Sequence, residues 1–244
     1  MSKNRQQTFD EPGPGGAFYS GELSAFARSL GAAFMFADPL GGCRPHLQQV
    51  ALGRLHDRPC LAATNGHALI VHWMDATECT QKPRGKRELV AIASVGWHEW
   101  RLIGAILRSI DRRAEGRVIA TKDAIVIHVA ACTPIWVAQS FRIALSEKEA
   151  LPSIRHVLKS NKGGTLAHAS PHLSAPLLES AISSMRKHGA LFEAPGQLAI
   201  STQYSKDEYG PIPLHSPYSL ALVMPMRVDA ADFSYGRELW NTEA

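Results

Sequence analysis

The stretch that most constrains this chain is Leu61-Ala-Ala-Thr-Asn-Gly-His-Ala-Leu-Ile-Val-His-Trp-Met74, two apolar runs broken at Asn65-Gly66. Such runs, bounded by a residue pair that tolerates positive φ, read as β-structure. Two geometries are open at the break. One is a tight hairpin turn. The other is a kinked strand with its backbone exposed at the kink and His67 just beyond. Along one strand, His67 and His72 fall on opposite faces and cannot share a metal ion.

The rest of the chain is organised around that stretch. Residues 1–17 are polar and rich in Gly and Pro, as a disordered tail would be. Ser20 is placed to cap a helix, with Glu22 in its first turn. Leu23, Phe26, Ala27, Leu30 and Phe34 then recur at helical spacing, with Arg28 off that stripe. His46–Leu55 and Cys60–Trp73 read as paired strands, and residues 75–88 as a charged loop. A short strand over Glu88–Ala93 follows. Ser94 is then placed to cap a helix to about Arg113, with Trp97, Trp100, Ile103, Leu107 and Ile110 inward and Gly116 as its stop. Arg117–Ala120, Ala124–Ala131 and Ile135–Ile143 read as three strands. Ser174 is placed to cap a further helix that buries Leu177, Leu178, Ala181, Ile182 and Met185 and ends at Gly189. Ala190–Phe192, Leu198–Gln203 and Ser219–Arg227 read as strands, and 204–217 as a polar loop. Helices and strands in this order give an α+β architecture, antiparallel sheets with helices on one face.

Composition narrows the function. Apolar residues make up 45% of the 244, enough for a sizeable core. The formal charge of +4 suits a polyanionic partner without requiring one. Cys43, Cys60, Cys79 and Cys132 form no Cys-x-x-Cys pair, so free thiols in a reducing cytoplasm are expected, with no cofactor. No apolar run has the length of a signal-peptide core or a membrane span, so no membrane partner is expected. There is no His-Glu-x-x-His, no Gly-x-Ser-x-Gly and no Walker loop, and a non-catalytic role is expected.

Ala63-Thr-Asn-Gly-His-Ala-Leu69 resembles the Ala-Thr-Asp-Gly-His-Arg-Leu signature of bacterial sliding clamps, the β subunit of the replicative DNA polymerase. Arg44-Pro-His-Leu-Gln-Gln-Val50 is similar to a segment that precedes that signature at the same spacing. Leu151-Pro-Ser-Ile-Arg-His-Val-Leu158 resembles the crossing between the middle and last clamp domains. Val223-Met-Pro-Met-Arg-Val228 resembles the family's closing segment. The four matches come in order over roughly residues 18 to 228. They imply a sliding-clamp fold with a complete domain at 18–150, a shortened second domain at 151–228 and a tail at 229–244. Ala68 stands where the family has Arg, Lys159 where it has Pro, and the family tends to be acidic.

By this resemblance Leu47, Thr64, Gly66, His67, Leu69, Leu222 and Met224 would form a groove for short linear peptides of a DNA polymerase or repair protein. Gly66 permits close backbone approach, and Met224 is a deformable wall. The same apolar residues would equally serve as plain core. Arg101, Arg108 and Arg112 share a helix face by spacing, and Arg28, Arg186 and Lys187 lie on the other two helices. In the clamp family such helices face duplex DNA; otherwise these are solvated helix faces. DNA binding of this kind is sequence-independent and salt-sensitive. The implied function is a sliding-clamp-like processivity factor. The alternatives are a clamp-derived adaptor that does not encircle DNA, and a small hydrolase without a recognisable motif. Half a second domain leaves a sheet edge open. The tail, with Phe233, Tyr235, Leu239 and Trp240, is one candidate to cover it. The expected assembly is a monomer or small oligomer rather than a closed ring.

Overall fold

A computed structural model describes residues 18–37, 45–55, 58–74, 89–111, 113–130, 138–145, 173–190, 199–200 and 211–224. The elements are β1 (Tyr19–Glu22), α1 (Leu23–Phe34), a 3-10 turn (Pro45–Gln48), β2 (Gln49–Leu55), β3 (Arg58–Thr64), β4 (Ala68–Trp73), β5 (Val90–Gly96), α2 (Trp97–Ser109), β6 (Glu115–Ala120), β7 (Ala124–Val129), β8 (Gln139–Ala144), α3 (Ala175–Gly189), β9 (Ala199–Ile200), β10 (Ile212–Ser216) and β11 (Ser219–Val223). One sheet has the order β1-β6-β7-β8, the other β5-β2-β3-β4-β11-β10-β9, and all neighbours are antiparallel.

This order contains a repeat. Strand, helix and three strands occur twice, as β1-α1-β2-β3-β4 and β5-α2-β6-β7-β8. Each half lends its first strand to the other, β1 pairing with β6 and β5 with β2. After residue 173 the helix-and-three-strand part occurs once more, as α3-β9-β10-β11. Its last strand pairs with β4, so one sheet runs through both parts of the chain.

The lent strands explain where both helices begin. Ser20 pairs with Arg117 in the sheet, and the Leu23 N–H donates to the Ala114 carbonyl at 3.0 Å, so α1 starts after Glu22. Ser94 likewise pairs with Ala51 in β5. Gly96 takes the N-terminal position of α2, with its N–H on the Glu99 carboxylate at 3.0 Å. Strand pairing thus overrides two good caps. Helix α2 also ends early, at Ser109, because Ile110 turns extended and enters the core. Gly116 belongs to β6 and stops no helix. A Cβ there would lie 2.2 Å from the His128 carbonyl oxygen and 2.8 Å from Leu23 Cδ1, so glycine is needed where α1 meets β6. Strand β10 falls where a polar loop was expected, its apolar pattern hidden by Pro213 and the flanking Pro211 and Pro217. Residues 131–137, 151–172, 191–198 and 225–244 lie outside the described residues.

The longer sheet is buried on both faces around β4, which explains its unbroken apolar sequence. Ala68 and Ile70 join a core with Phe26, Leu30, Ile103, Ala181, Met185 and Ala221. Leu69, Val71 and Trp73 join a second core with Leu55, Leu89 and Leu222 on the opposite face.

His72 is wholly buried on the helix side of β4. Its Nε2 lies 2.9 Å from Ser184 Oγ, and that hydroxyl donates to the Ala32 carbonyl at 2.7 Å. Ser184 is therefore the acceptor from Nε2–H, which leaves Nδ1 to accept from the Ser219 hydroxyl at 2.7 Å. His188 stacks on His72 at 4.3 Å between ring centroids. Its Nε2–H donates to the Trp73 carbonyl at 2.9 Å, and Nδ1 lies 3.1 Å from Ser29 Oγ. Both rings are neutral, and each uses both nitrogens. Burial first, and the neighbouring His188 second, hold His72 well below the usual imidazole range. Burial lowers His188 to about 4 against the pull of the Trp73 and Tyr218 backbone.

Both folded-state values lie below the unfolded value, so the unfolded chain binds more protons as the pH drops. The stability tied to these rings is complete above pH 6.5 and is lost as the pH falls toward 4. The loss reaches about 1.4 kcal/mol per pH unit for each ring. The urea midpoint should therefore fall between about pH 7 and about pH 5, and His188→Gln should flatten that slope while lowering the plateau. A native midpoint unchanged across that range would contradict this reading.

Candidate functional site

The break at Asn65-Gly66 is a hairpin turn. β3 and β4 pair from Cys60–Trp73 to Thr64–Leu69. The Asn65 side-chain oxygen accepts the N–H groups of His67 and Ala68 at 3.0 and 2.8 Å. The Thr64 hydroxyl donates to the Ala68 carbonyl at 2.8 Å and accepts the Gly66 N–H at 3.1 Å. Gly66 has φ +89°, which a side chain would strain. Thr64 thus serves the turn itself and presents little to a ligand.

Around this turn the fold gathers the seven groove candidates. Leu47 comes from the 3-10 turn before β2, and its Cδ1 lies 3.7 Å from where a Gly66 Cβ would stand. Leu69 and Leu222 are opposite each other across the β4–β11 ladder, both buried. The Met224 N–H donates to the His67 carbonyl at 2.9 Å just past the end of that ladder. Gly66, His67 and Met224 are exposed, while Leu47, Thr64, Leu69 and Leu222 are buried. The corner therefore has an apolar floor and a rim of one glycine, one imidazole and one thioether. Met224 is 38% exposed, which is unusual for so apolar a side chain and leaves it available to a partner. Residues 63–69 and 222–224 lie far apart in the chain. Among the described residues the β4–β11 pairing joins them.

The basic candidates are spread over three helices. α1 lies between α2 and α3, packing against both. Phe34 of α1 meets Trp97 and Trp100 of α2 at 4.9 and 5.5 Å between ring centroids. Arg101 and Arg108 are exposed on α2, away from the buried Ile103. Arg112 falls beyond the end of α2 and outside the described residues, so the expected three-arginine helix face holds two among those described. Arg28 on α1 is paired with Glu22 at 3.3 Å, and the same carboxylate accepts the Ser24 hydroxyl. That ion pair screens one of the expected cations. Arg186 and Lys187 are exposed in the last turn of α3, where the helix dipole favours cations.

The network of His72 and His188 was not visible in the sequence. A histidine inside an otherwise apolar strand is a weak signal, and its partners lie far away in the chain. Among the described residues no group of three or more His, Cys, Asp or Glu could hold a metal ion. No described helix is long and apolar enough to cross a membrane.

Protein-family models give no match to the chain, and neither do curated protein sequences. Solved structures do match by shape. The DNA polymerase III subunit beta from Pseudomonas aeruginosa superposes with a TM-score of 0.50 at 16% identity, over 93% of this chain and 70% of the other. The DNA polymerase sliding clamp from Pseudomonas aeruginosa with ligand gives a TM-score of 0.50 at 14% identity, with the same coverages of 93% and 70%.

Proposed function

With the sliding-clamp fold as premise, we propose that this chain is a sliding-clamp-like protein that holds duplex DNA without reading sequence and recruits a partner through a short linear peptide. Residues 18–150 are read as one complete clamp domain and 151–228 as a shortened second one. The role is non-catalytic and cytoplasmic, with a DNA polymerase or repair protein as the partner. The observation that carries the reading is the corner where Gly66 and His67 of the β3–β4 turn meet Met224 after β11. Gly66 leaves room for a ligand backbone, His67 offers a polar edge, and Met224 adapts to varied apolar anchors. Hold on DNA would come from Arg101, Arg108, Arg186 and Lys187 through phosphate contacts.

A peptide carrying Gln-Leu-x-Leu-Phe should bind with micromolar affinity, roughly −8 kcal/mol, by fluorescence anisotropy. His67→Ala or Met224→Ala should each weaken it by about 1–2 kcal/mol. Equal affinity in both variants and the native chain would remove the groove assignment.

The adaptor reading has one observation in its favour: Arg28 is already paired with Glu22. Binding to duplex separates the two. The native chain should show salt-dependent affinity, and replacing Arg101 and Arg108 by Glu should lower the salt slope by about 0.9 for each phosphate no longer neutralised. If the native chain has no salt-dependent affinity for duplex, the adaptor reading replaces the clamp reading.

A further inference from the structure

We propose that Asn65 is a site of spontaneous deamidation, and that the β3–β4 turn delivers the product as aspartate rather than isoaspartate. The proposal is independent of the DNA and peptide reading above. The chain has four asparagines, Asn4, Asn65, Asn161 and Asn241, and Asn65 alone is followed by glycine.

The reaction begins with attack of the Gly66 backbone nitrogen on Cγ, the side-chain carbonyl carbon of Asn65. A side chain on the following residue would crowd that approach, and Gly66 has none. The turn bends the carboxamide back over the Gly66 peptide: Oδ1 lies 3.0 Å from the His67 nitrogen and 2.8 Å from the Ala68 nitrogen. Both partners are N–H donors, so the atom they hold is the oxygen and not Nδ2. The attack puts negative charge on that same oxygen, where the two donors stand as they would in an oxyanion hole. On the attacking side, the Gly66 N–H donates to the Thr64 hydroxyl oxygen at 3.1 Å, which draws on its proton. Gly66 and His67 are exposed, which gives ammonia a way out and water a way in.

The steps balance without an oxidant or reductant. The bond from the Gly66 nitrogen to Cγ forms, that nitrogen gives up its proton, and the bond from Cγ to Nδ2 breaks as ammonia leaves. Water then opens the five-membered imide at one of its two carbonyls. Addition at Cγ restores the backbone and leaves aspartate. Addition at the backbone carbonyl carbon routes the chain through Cβ and Cγ, one atom longer, and leaves isoaspartate. The turn is too tight for that extra atom. The Asn65 N–H donates to the Ala68 carbonyl at 3.3 Å, and Thr64 stands opposite Leu69 in a ladder whose β4 side chains are all buried. Aspartate fits the turn as it is, because its carboxylate accepts the same two N–H groups as charge-assisted bonds. The change sets a carboxylate beside the exposed His67 and lowers the formal charge of +4 by one.

Peptide mapping by mass spectrometry tests this on the full chain, kept folded in mildly alkaline buffer, with a parallel sample unfolded in urea. In the folded chain Asn65 should convert at least about tenfold faster than the other three asparagines. Its ratio of aspartate to isoaspartate should be at least about threefold higher than in urea. Asn65→Asp, which stands for the product, should keep a urea midpoint no lower than the native one. Three results would overturn the proposal. One is an Asn65 that stays intact in the folded chain while it converts in urea, so that the turn protects the amide. Another is the same product ratio in both samples. The third is an Asn65→Asp chain with a lower midpoint, which would show that the turn rejects the carboxylate.

Discussion

The structure depends on the antiparallel pairing of β4 with β11. Five residue pairs, Ala68–Val223 to His72–Ser219, join the body of the fold to its last strand. Backbone bonds from Met224 to His67 and from Trp73 to Tyr218 extend the ladder at its two ends. Without this seam α3 would lose the surface that buries Ala181 and Met185, and the corner at Gly66, His67 and Met224 would not exist. The seam is also where the chain buries polarity. Each polar group of the His72–His188 network, left unmet, would cost about 1–3 kcal/mol. The network therefore tolerates one arrangement of α1, β4, α3 and β11 and penalises slipped ones. Apolar packing alone would discriminate between such registers less sharply.

This coupling links the fold to its proposed role. The proposed groove, drawn from segments far apart in the chain, would keep its shape only while those segments stay together. Met224 lies one residue past the ladder, so its position follows directly from the register of β11. The polar network and the rim are thus connected through one strand: Ser219 begins it in the core, and Met224 follows its other end at the surface.

Much of the core was legible in the sequence. The Asn65-Gly66 break between two apolar runs located the turn, leaving hairpin and kinked strand open, and helical spacing marked the inward sides of α1, α2 and α3. What escaped was set by contacts distant in sequence. Ser20 and Ser94 are sound caps locally, yet each lies in a strand lent to the other half, and no local signal reports such a loan. Gly116 reads as a helix stop until the side chain of Leu23 is placed against it. Three prolines disguised β10, which tolerates Pro213 where β9 reaches only Leu214 and His215. The groove residues were named through resemblance to the clamp signature and its closing segment. Their spacing along the chain carries no hint that Met224 and His67 touch. The basic helix face was legible by period, but its third member depended on a helix end that Ile110 moved.

The β4–β11 seam is expected to make both parts of the chain one cooperative body, and native-state hydrogen exchange measures this directly. Buried amides of β11 and α3, such as those of Ala221 and Met185, should open with the same free energy as Leu52 and Leu61 in β2 and β3, within about 1 kcal/mol. If α3 and β11 exchanged together at a free energy several kcal/mol lower, with β2 and β3 still protected, the seam would be a loose contact and the chain would not be one cooperative body.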